Sequence, residues 1–229
     1  MIKGIGIIKK KADISSADFH NHWRDVHAPL GLQIKGLRRY VQSHRGDGVV
    51  PGFENCTIDG AAEIWFDDLA TMANLANEPT YINGAKVDEQ NFINLDEIIF
   101  LATREHVIIP GPKIERNTPL VKAVFLLRRR PDMSVAEFQD YWIKEHAPQI
   151  PTDAGIVRYV QCHQAPETYA EGTPAYDGVA ELSFADFAAF EAYWTSDRVQ
   201  AIFSADAPKF LDAANCTAFL AHENRVLWP

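Results

Sequence analysis

Two segments of the chain begin with the same pattern, a short apolar run followed by an amphipathic stretch. Ile2–Ile8 and Val121–Leu127 are rich in Ile, Val and Leu, which favours β-strands. Each run is followed by Ser15 or Ser134, with an acidic residue three positions further on. That spacing is typical of a helix start, because the two side chains can satisfy free backbone N–H groups. Both segments therefore predict a strand followed by a helix.

The first predicted helix carries an aromatic stripe. Phe19 and Trp23 lie four positions apart, so they fall on one face of a helix, and the second segment repeats this spacing. Pro29 then predicts the end of the helix, because the residue before a proline is disfavoured in the α conformation.

The remaining elements follow the same order in both segments. We predict second strands at Gly36–His44 and Gly155–His163, third strands at Ile58–Phe66 and Asp177–Phe184, helical regions starting at Asp67 and Ala185 and running on in broken form, and fourth strands at Ile98–Val107 and Cys216–Val226. The order β-α-β-β-α-β is that of the split-βαβ, ferredoxin-like motif. The predicted class is therefore α+β. Such a sheet has helices on one face only, so a second copy has to cover the other.

The two segments are copies of one module. An offset of 119 aligns Lys3–His44 with Lys122–His163 without a gap, and an offset of 118 aligns the later parts. Residues 109–119 have the proline and glycine content of a linker. We predict a first module at 1–108, a linker at 109–119 and a second module at 120–229. Two complete copies indicate a homodimer whose subunits have been fused, with their sheets packed together.

The second strand carries a repeated polar stripe. Side chains alternate between the faces of a strand, so Tyr40, Gln42 and His44 share one face. The second copy repeats the stripe with Tyr159, Gln161 and His163. If this face meets the other sheet, the stripe lines an enclosed cleft. The alternative is a hydrogen-bonded ladder between the sheets.

A histidine lies at the end of each predicted first helix, two positions before the proline. His27 and His146 have side chains that titrate near neutrality and can transfer protons. The alternative is a cap at the helix C-terminus, where the helix dipole favours a cation.

Other features exclude several classes of protein. The net charge of −9 argues against a nucleic-acid partner. The three cysteines have no CxxC spacing, and His20-x-His22 would not converge on one helix face, so no metal site is expected. Repeated strand glutamates such as Glu63 are interpreted as edge charges, with buried bases as the alternative. No apolar stretch approaches the ~20 residues of a membrane span, so a soluble cytoplasmic protein is expected.

The strings FHNHWRDVHAPL…GLRRYVQSH and FQDYWIKEHAPQ…GIVRYVQCH resemble the signature of the EthD family of dimeric α+β barrels. Members of that family are associated with ether-degradation gene clusters, polyketide tailoring and isomerisation of muconolactones. The resemblance implies two ferredoxin-like modules packed sheet to sheet, with a cleft inside each module. It also implies catalytic roles for His27 with Tyr40 and for His146 with Tyr159.

The leading hypothesis is a cofactor-independent enzyme that acts by acid–base chemistry on a small aromatic, lactone or polyketide-like substrate. The alternatives are a cofactor-free monooxygenase and a non-catalytic binding protein. The predicted substrate-binding residues are His44, His163, Gln42, Gln161 and Trp65. The expected partner is a small hydrophobic or aromatic metabolite, and a homodimer of the fused pair is possible. The additional histidines His20, His22 and His106 slightly favour the first copy as the better-equipped half.

Overall fold

A computed structural model describes residues 1–229 and contains eight strands that close into one antiparallel barrel. The strands are β1 (Ile2–Ile8), β2 (Arg39–Arg45), β3 (Gly60–Phe66), β4 (Ile99–Ile109), β5 (Val121–Leu127), β6 (Ile156–Gln164), β7 (Gly178–Phe184) and β8 (Thr217–Leu227). The helices are α1 (Ser16–His22), α2 (Ala28–Gly31), α3 (Leu69–Ala73), α4 (Lys86–Phe92), α5 (Val135–Tyr141), α6 (Phe187–Trp194) and α7 (Asp197–Phe210). No helix is long and apolar enough to cross a membrane.

Each half of the barrel is the sheet of one ferredoxin-like module. The first sheet has the order β4-β1-β3-β2, and the second has the matching order β8-β5-β7-β6. The edge strands of the two sheets pair with each other, β2 with β8 and β4 with β6, and both of these seams are antiparallel. No free sheet edge therefore remains. The predicted α+β fold of two modules joined through their sheets is confirmed.

The predicted second strands begin too early. Gly36 and Gly155 have φ angles of +83° and +86°, so they form turns before the strands rather than parts of them. The strands start at Arg39 and Ile156 instead.

The predicted helix end at Pro29 is also wrong. A π-helical turn, Trp23–His27, follows α1, and the N–H of Ala28 bonds to the carbonyl of Trp23. Pro29 lies in the first turn of α2, where its missing N–H costs nothing. The helical path therefore continues to Gly31, and the π turn aims His27 towards the sheet. The second module has an equivalent π turn, Trp142–His146, before a short 3₁₀ turn.

The barrel interior is apolar at one end and ionic at the other. Ile5, Val124 and Phe219 belong to its apolar cluster. At the ionic end, the Nζ atom of Lys3 lies 2.9 Å from the carboxylate of Glu63, and further glutamates surround it. The interpretation of the repeated glutamates as edge charges is wrong, because a closed barrel has no edge. Glu63 is only 1 % exposed.

One loop of the first module crosses onto the second. Residues 46–59 connect β2 to β3, and within them Val50 is buried in the second module's apolar core. The indole Nε1 of Trp194 donates to the carbonyl of Pro51 over 3.0 Å. This loop therefore forms part of the outer surface of the second module.

Candidate active site

The polar stripe of the second strand faces the helices, not the other sheet. The Nε2 group of Gln42 donates to the carbonyl of Trp23, at the end of α1, over 2.7 Å. Ser43, on the opposite face of β2, contacts the ion cluster inside the barrel through Glu63 and Lys122. A cleft lined by this stripe between the sheets does not exist. The space next to the two tyrosines lies instead between each sheet and its own helices.

The second module contains an apolar cavity of about 200 Å³ in this position. Of its sixteen lining residues fifteen are hydrophobic, and His146 is the exception. Tyr159 from β6 and Trp142 from the π turn form part of the wall next to this histidine. Phe53, from the loop of the first module, forms another part and meets Phe125 edge-on at 5.9 Å.

His146 is oriented by a buried aspartate. Its Nδ1 atom lies 2.8 Å from Oδ2 of Asp206 on α7. Because a carboxylate only accepts hydrogen bonds, Nδ1 carries the proton, and Nε2 is left with a free lone pair. The other oxygen of Asp206 accepts the hydroxyl of Tyr141 at 2.7 Å. The pair therefore has the arrangement of a general base and the group that orients it.

The surroundings keep this base uncharged. Burial lowers the pKa of His146 below its usual value of 6.5, and the hydrogen bond to Asp206 opposes that shift only in part. Burial alone would raise the pKa of Asp206, but hydrogen bonds from Tyr141 and His146 outweigh burial and hold it to about 2. At neutral pH this pair, the His146–Asp206 dyad, therefore consists of a neutral imidazole and a carboxylate.

Tyr159 is held so that its hydroxyl can donate. The hydroxyl oxygen accepts from Nε2 of Gln161 at 2.9 Å and from Nε1 of Trp142 at 3.3 Å. Gln161 is in turn fixed by Nε2 of His163, 3.0 Å from its Oε1 atom. Burial raises the pKa of Tyr159, so its proton is retained. With both acceptor positions used, that proton is free for another partner in the cavity.

The histidine behind the tyrosine is also neutral. Burial lowers the pKa of His163 to about 3, and its ring stacks on Trp142 at 4.5 Å. His44 has an equivalent place, and burial likewise lowers its pKa to about 3. Their role in the geometry is to fix a glutamine, which then fixes the tyrosine.

The first module repeats the dyad around a smaller cavity of about 130 Å³. Nδ1 of His27 lies 2.9 Å from Oδ2 of Asp88 on α4, and Nε2 of His22 lies 2.9 Å from the other oxygen. Burial lowers the pKa of His27. Gln42 donates to the hydroxyl of Tyr40 at 2.9 Å, as in the second module.

Each module contacts the polar stripe of the other across a seam, by a hydrogen bond at β2–β8 and by ring packing at β4–β6. Asn224 of β8 donates to Oε1 of Gln42 over 2.8 Å. His106 of β4, the equivalent position in the other copy, packs its ring 4.4 Å from that of His163. His106, one of the three additional histidines of the first copy, therefore contacts the polar stripe of the second module and not that of its own.

The structure brings only some of the predicted site residues to the cavities. His27 and Tyr40 line the first cavity, and His146 and Tyr159 line the second. The predicted substrate-binding residues His44, His163, Gln42 and Gln161 stand behind the tyrosines and line neither cavity. Trp65 lies inside the barrel, where its Nε1 atom donates to Glu105.

The sequence reasoning missed the two aspartates. Asp88 and Asp206 correspond at the offset of 118, and each is followed four residues later by a phenylalanine, Phe92 or Phe210. That repeated Asp-x3-Phe pattern was the available signal. The position of Phe53 at the second cavity could not be predicted in this way, because the corresponding loop of the second copy contains no phenylalanine.

One group of potential metal ligands lies inside the barrel. Glu105, Cys162 and Glu181 have ligand atoms within 4.8 Å of one another. The ammonium group of Lys3 already lies 2.5 Å from Glu181 and 3.6 Å from Glu105. The group is therefore neutralised by a lysine, which would repel an added cation.

The fold and the paired cavities define a dimeric α+β barrel whose two modules occur in one chain. The EthD domain pattern matches residues 11–96 and 130–214, once in each half. The chain therefore belongs to the EthD family, as a tandem pair. No curated protein matches the sequence significantly.

Solved structures share the whole fold at low sequence identity. An anthrone oxidase-like protein is 7 % identical with a TM-score of 0.70, covering 98 % of this chain and 93 % of its own. A candidate monooxygenase from Fusobacterium nucleatum is 10 % identical with a TM-score of 0.60, covering 98 % and 92 %. A mutant chlorite dismutase from Candidatus Nitrospira defluvii is 8 % identical with a TM-score of 0.58, covering 98 % and 92 %. At these identities the likeness concerns the fold.

Proposed function

We propose that the chain is an enzyme that transfers protons on a small aromatic or lactone-like substrate, and that the second cavity is its main active site. The observation that carries the proposal is a single histidine, oriented by a buried aspartate, in a cavity that is otherwise hydrophobic. A histidine and a tyrosine in a cavity that is otherwise apolar support proton transfer on a substrate whose ring packs against the apolar wall.

The chemistry follows from the two polar groups at the cavity wall. Nε2 of His146 removes a proton from a carbon or hydroxyl adjacent to a carbonyl, and Asp206 stabilises the imidazolium that forms. Tyr159 donates its hydrogen bond to the carbonyl oxygen as negative charge develops there. Return of the proton from the imidazolium to another carbon gives an isomer. In a dehydration the imidazolium instead gives its proton to the departing β-hydroxyl, which leaves as water. In a decarboxylation the proton removed is that of the carboxyl group, and it returns to the carbon that has lost carbon dioxide. None of these steps requires a further group.

The cavity limits the size of the substrate. An apolar cavity of about 150 Å³ accepts benzene, so a cavity of about 200 Å³ suits one substituted ring. Phe125, Trp194 and Phe210 around it offer ring edges and faces for stacking. These dimensions favour phenolic acids and lactones of one ring.

The same geometry suits an oxidation as the second candidate. Removing a phenolic proton in a water-poor cavity yields an electron-rich anion, and such an anion can react with dissolved oxygen. The names of two proteins with this fold, an anthrone oxidase-like protein and a candidate monooxygenase, support keeping this candidate. It differs from the first in consuming oxygen.

A turnover screen with matched variants tests the proposal. The protein would be incubated with one-ring phenolic acids and lactones, and the products would be measured by mass spectrometry. We expect His146→Ala to reduce turnover by about 10²–10⁴-fold, the usual contribution of a general base. His27→Ala is the matched control, and it should leave this activity within about twofold.

The mass change assigns the reaction class. No change indicates isomerisation, loss of carbon dioxide indicates a lyase, and a gain of oxygen with oxygen uptake indicates the second candidate. A product that forms equally well in the His146→Ala variant would refute the proposed base. Retention of compounds without any product would favour a binding protein.

A further inference from the structure

The first cavity has two polar side chains, Tyr81 and Glu89, whose counterparts in the second module are apolar. Glu89 lines the first cavity, and Ala207 lines the second at the matching place. Each follows the dyad aspartate, Asp88 or Asp206, by one residue on its helix. The first cavity therefore has a carboxyl group where the second has a methyl group.

The carboxyl group of Glu89 keeps unused capacity to accept hydrogen bonds. The hydroxyl of Tyr81 lies 3.1 Å from one oxygen and 3.4 Å from the other, so its single proton is shared between them. Val199 stands at the matching position in the second module. A carboxylate can accept about four hydrogen bonds. This half-buried one accepts only from Tyr81 within the protein, so it can accept from a ligand as well. Burial raises the pKa of Glu89, as expected for a carboxyl group short of partners. A ligand in the cavity can supply a donor.

The first cavity is also smaller than the second. Its volume is about 130 Å³, against about 200 Å³ for the second cavity. The ring of Phe100 fills part of the space beside Gly4 and Gly6, where the glycines leave room for it. The first cavity therefore favours a ligand smaller than the substituted ring proposed for the second.

We propose that the first cavity is a second binding site, for a small aliphatic ligand with one hydrogen-bond-donating group directed at Glu89. The donor is a hydroxyl or an amine, and the apolar body of the ligand fills the space beside Phe100 and Ile64. The site lies next to the His27 dyad, so a bound ligand changes the surroundings of that ring. This proposal does not depend on catalysis in the second module.

A titration that reports on each cavity separately tests the proposal. The ring signals of His27 and His146 would be followed by ¹H–¹³C NMR of the full chain with cyclopentanol, cyclopentylamine and cyclopentane. We expect saturable shifts of the His27 signal with the first two probes. Cyclopentane should bind at least about tenfold more weakly, because it makes no hydrogen bond to the carboxyl group.

Reciprocal variants provide the matched controls. Glu89→Ala copies the second module, and we expect it to remove the preference for cyclopentanol over cyclopentane. Ala207→Glu should create the same preference at the His146 signal. Glu89→Gln should retain cyclopentanol and lose cyclopentylamine if the amine binds as an ammonium ion, and should retain both if any donor suffices.

Two results would overturn the inference. One is a wild-type His27 signal that none of the probes moves. The other is a folded Glu89→Ala variant that discriminates among the probes as the wild type does. Alanine is a good helix former and occurs naturally at the matching position, so folding of this variant is expected and can be checked by circular dichroism.

Discussion

The first module surrounds its dyad with a small cavity that contains a carboxyl group, whereas the second surrounds the same dyad with a larger cavity of aromatic rings. The dyads agree closely, with Nδ1–Oδ2 distances of 2.9 and 2.8 Å. The difference lies in the walls. A duplicated chain can thus keep the same histidine–aspartate geometry in both modules while changing the cavity around it.

One pair of facing residues illustrates how the walls differ. In the first module Gly6 of β1 pairs with Phe100 of β4, and in the second Phe125 of β5 pairs with Ala218 of β8. The aromatic ring has therefore moved from one strand to its neighbour. Phe100 lies at the surface and is 48 % exposed, whereas Phe125 is buried and contacts Trp194.

The modules also differ in how they are closed. Phe53 of the first module covers the second cavity. The corresponding loop of the second module, residues 165–177, binds along β4 instead, where Arg104 forms an ion pair with Glu167. No residue of that loop lines the first cavity. A loop of the first module thus lines the cavity of the second, and the corresponding loop of the second module makes no such contribution to the first.

The largest effect is expected from removing the charge of the second dyad. Asp206→Asn places an amide beside Nδ1 of His146 and favours the tautomer that has its proton on Nε2, which cannot act as a base. We expect kcat on the aromatic substrate to fall by about 10²–10⁴-fold. The control Asp88→Asn should leave it within about twofold. Equal losses in both variants would show that the modules are not independent.

A smaller effect is expected from the loop that closes the second cavity. Phe53→Ala removes part of the apolar wall, and we expect KM to rise about tenfold with less change in kcat, because contact with the bound ring is lost. Val49→Ala, an exposed change on the same loop, is the control. An unchanged KM for Phe53→Ala would mean that the loop does not contact the substrate.

A still smaller effect is expected at the mouth of the first cavity. Phe100→Ala enlarges that cavity, so toluene should shift the His27 ring signal with an affinity about threefold higher than in the wild type, a change of roughly 0.7 kcal/mol. Phe187→Ala, an exposed phenylalanine on α6, is the control and should change nothing. Equal toluene affinities in the Phe100→Ala and Phe187→Ala variants would contradict the conclusion that Phe100 limits the size of the first cavity.

The smallest effect is expected from pH between 6.5 and 9. Burial lowers the pKa of His146 below 6.5, so the base is already deprotonated in this range, and activity falls only at more acid pH as the imidazole gains a proton. The pKa of Tyr159 is raised, so its hydroxyl remains a donor throughout. The profile of kcat/KM should be flat for a substrate that does not itself titrate. A rate that still rises above pH 7 would contradict the assignment.

The sequence determined the architecture because the duplication and the periodicity are local signals. Matching β-α-β-β-α-β patterns at a constant offset predicted two modules with one uncovered sheet face each, and the repeated string ending in His-Ala-Pro placed His27 and His146. Tyr40 and Tyr159 followed from their strand positions. The strands β1 and β5 begin and end at the predicted residues.

Only the tertiary structure decided which surface the candidate site residues face and which residues they contact. Strand alternation places Tyr40, Gln42 and His44 on one face, but does not say whether helices or another sheet cover it. Asp88 is 61 residues from His27 in the sequence, so no local pattern joins them. The barrel glutamates looked exposed because burial beside Lys3 depends on closure of the barrel. Such contacts arise from packing between distant segments, and a single sequence contains no periodicity that records them.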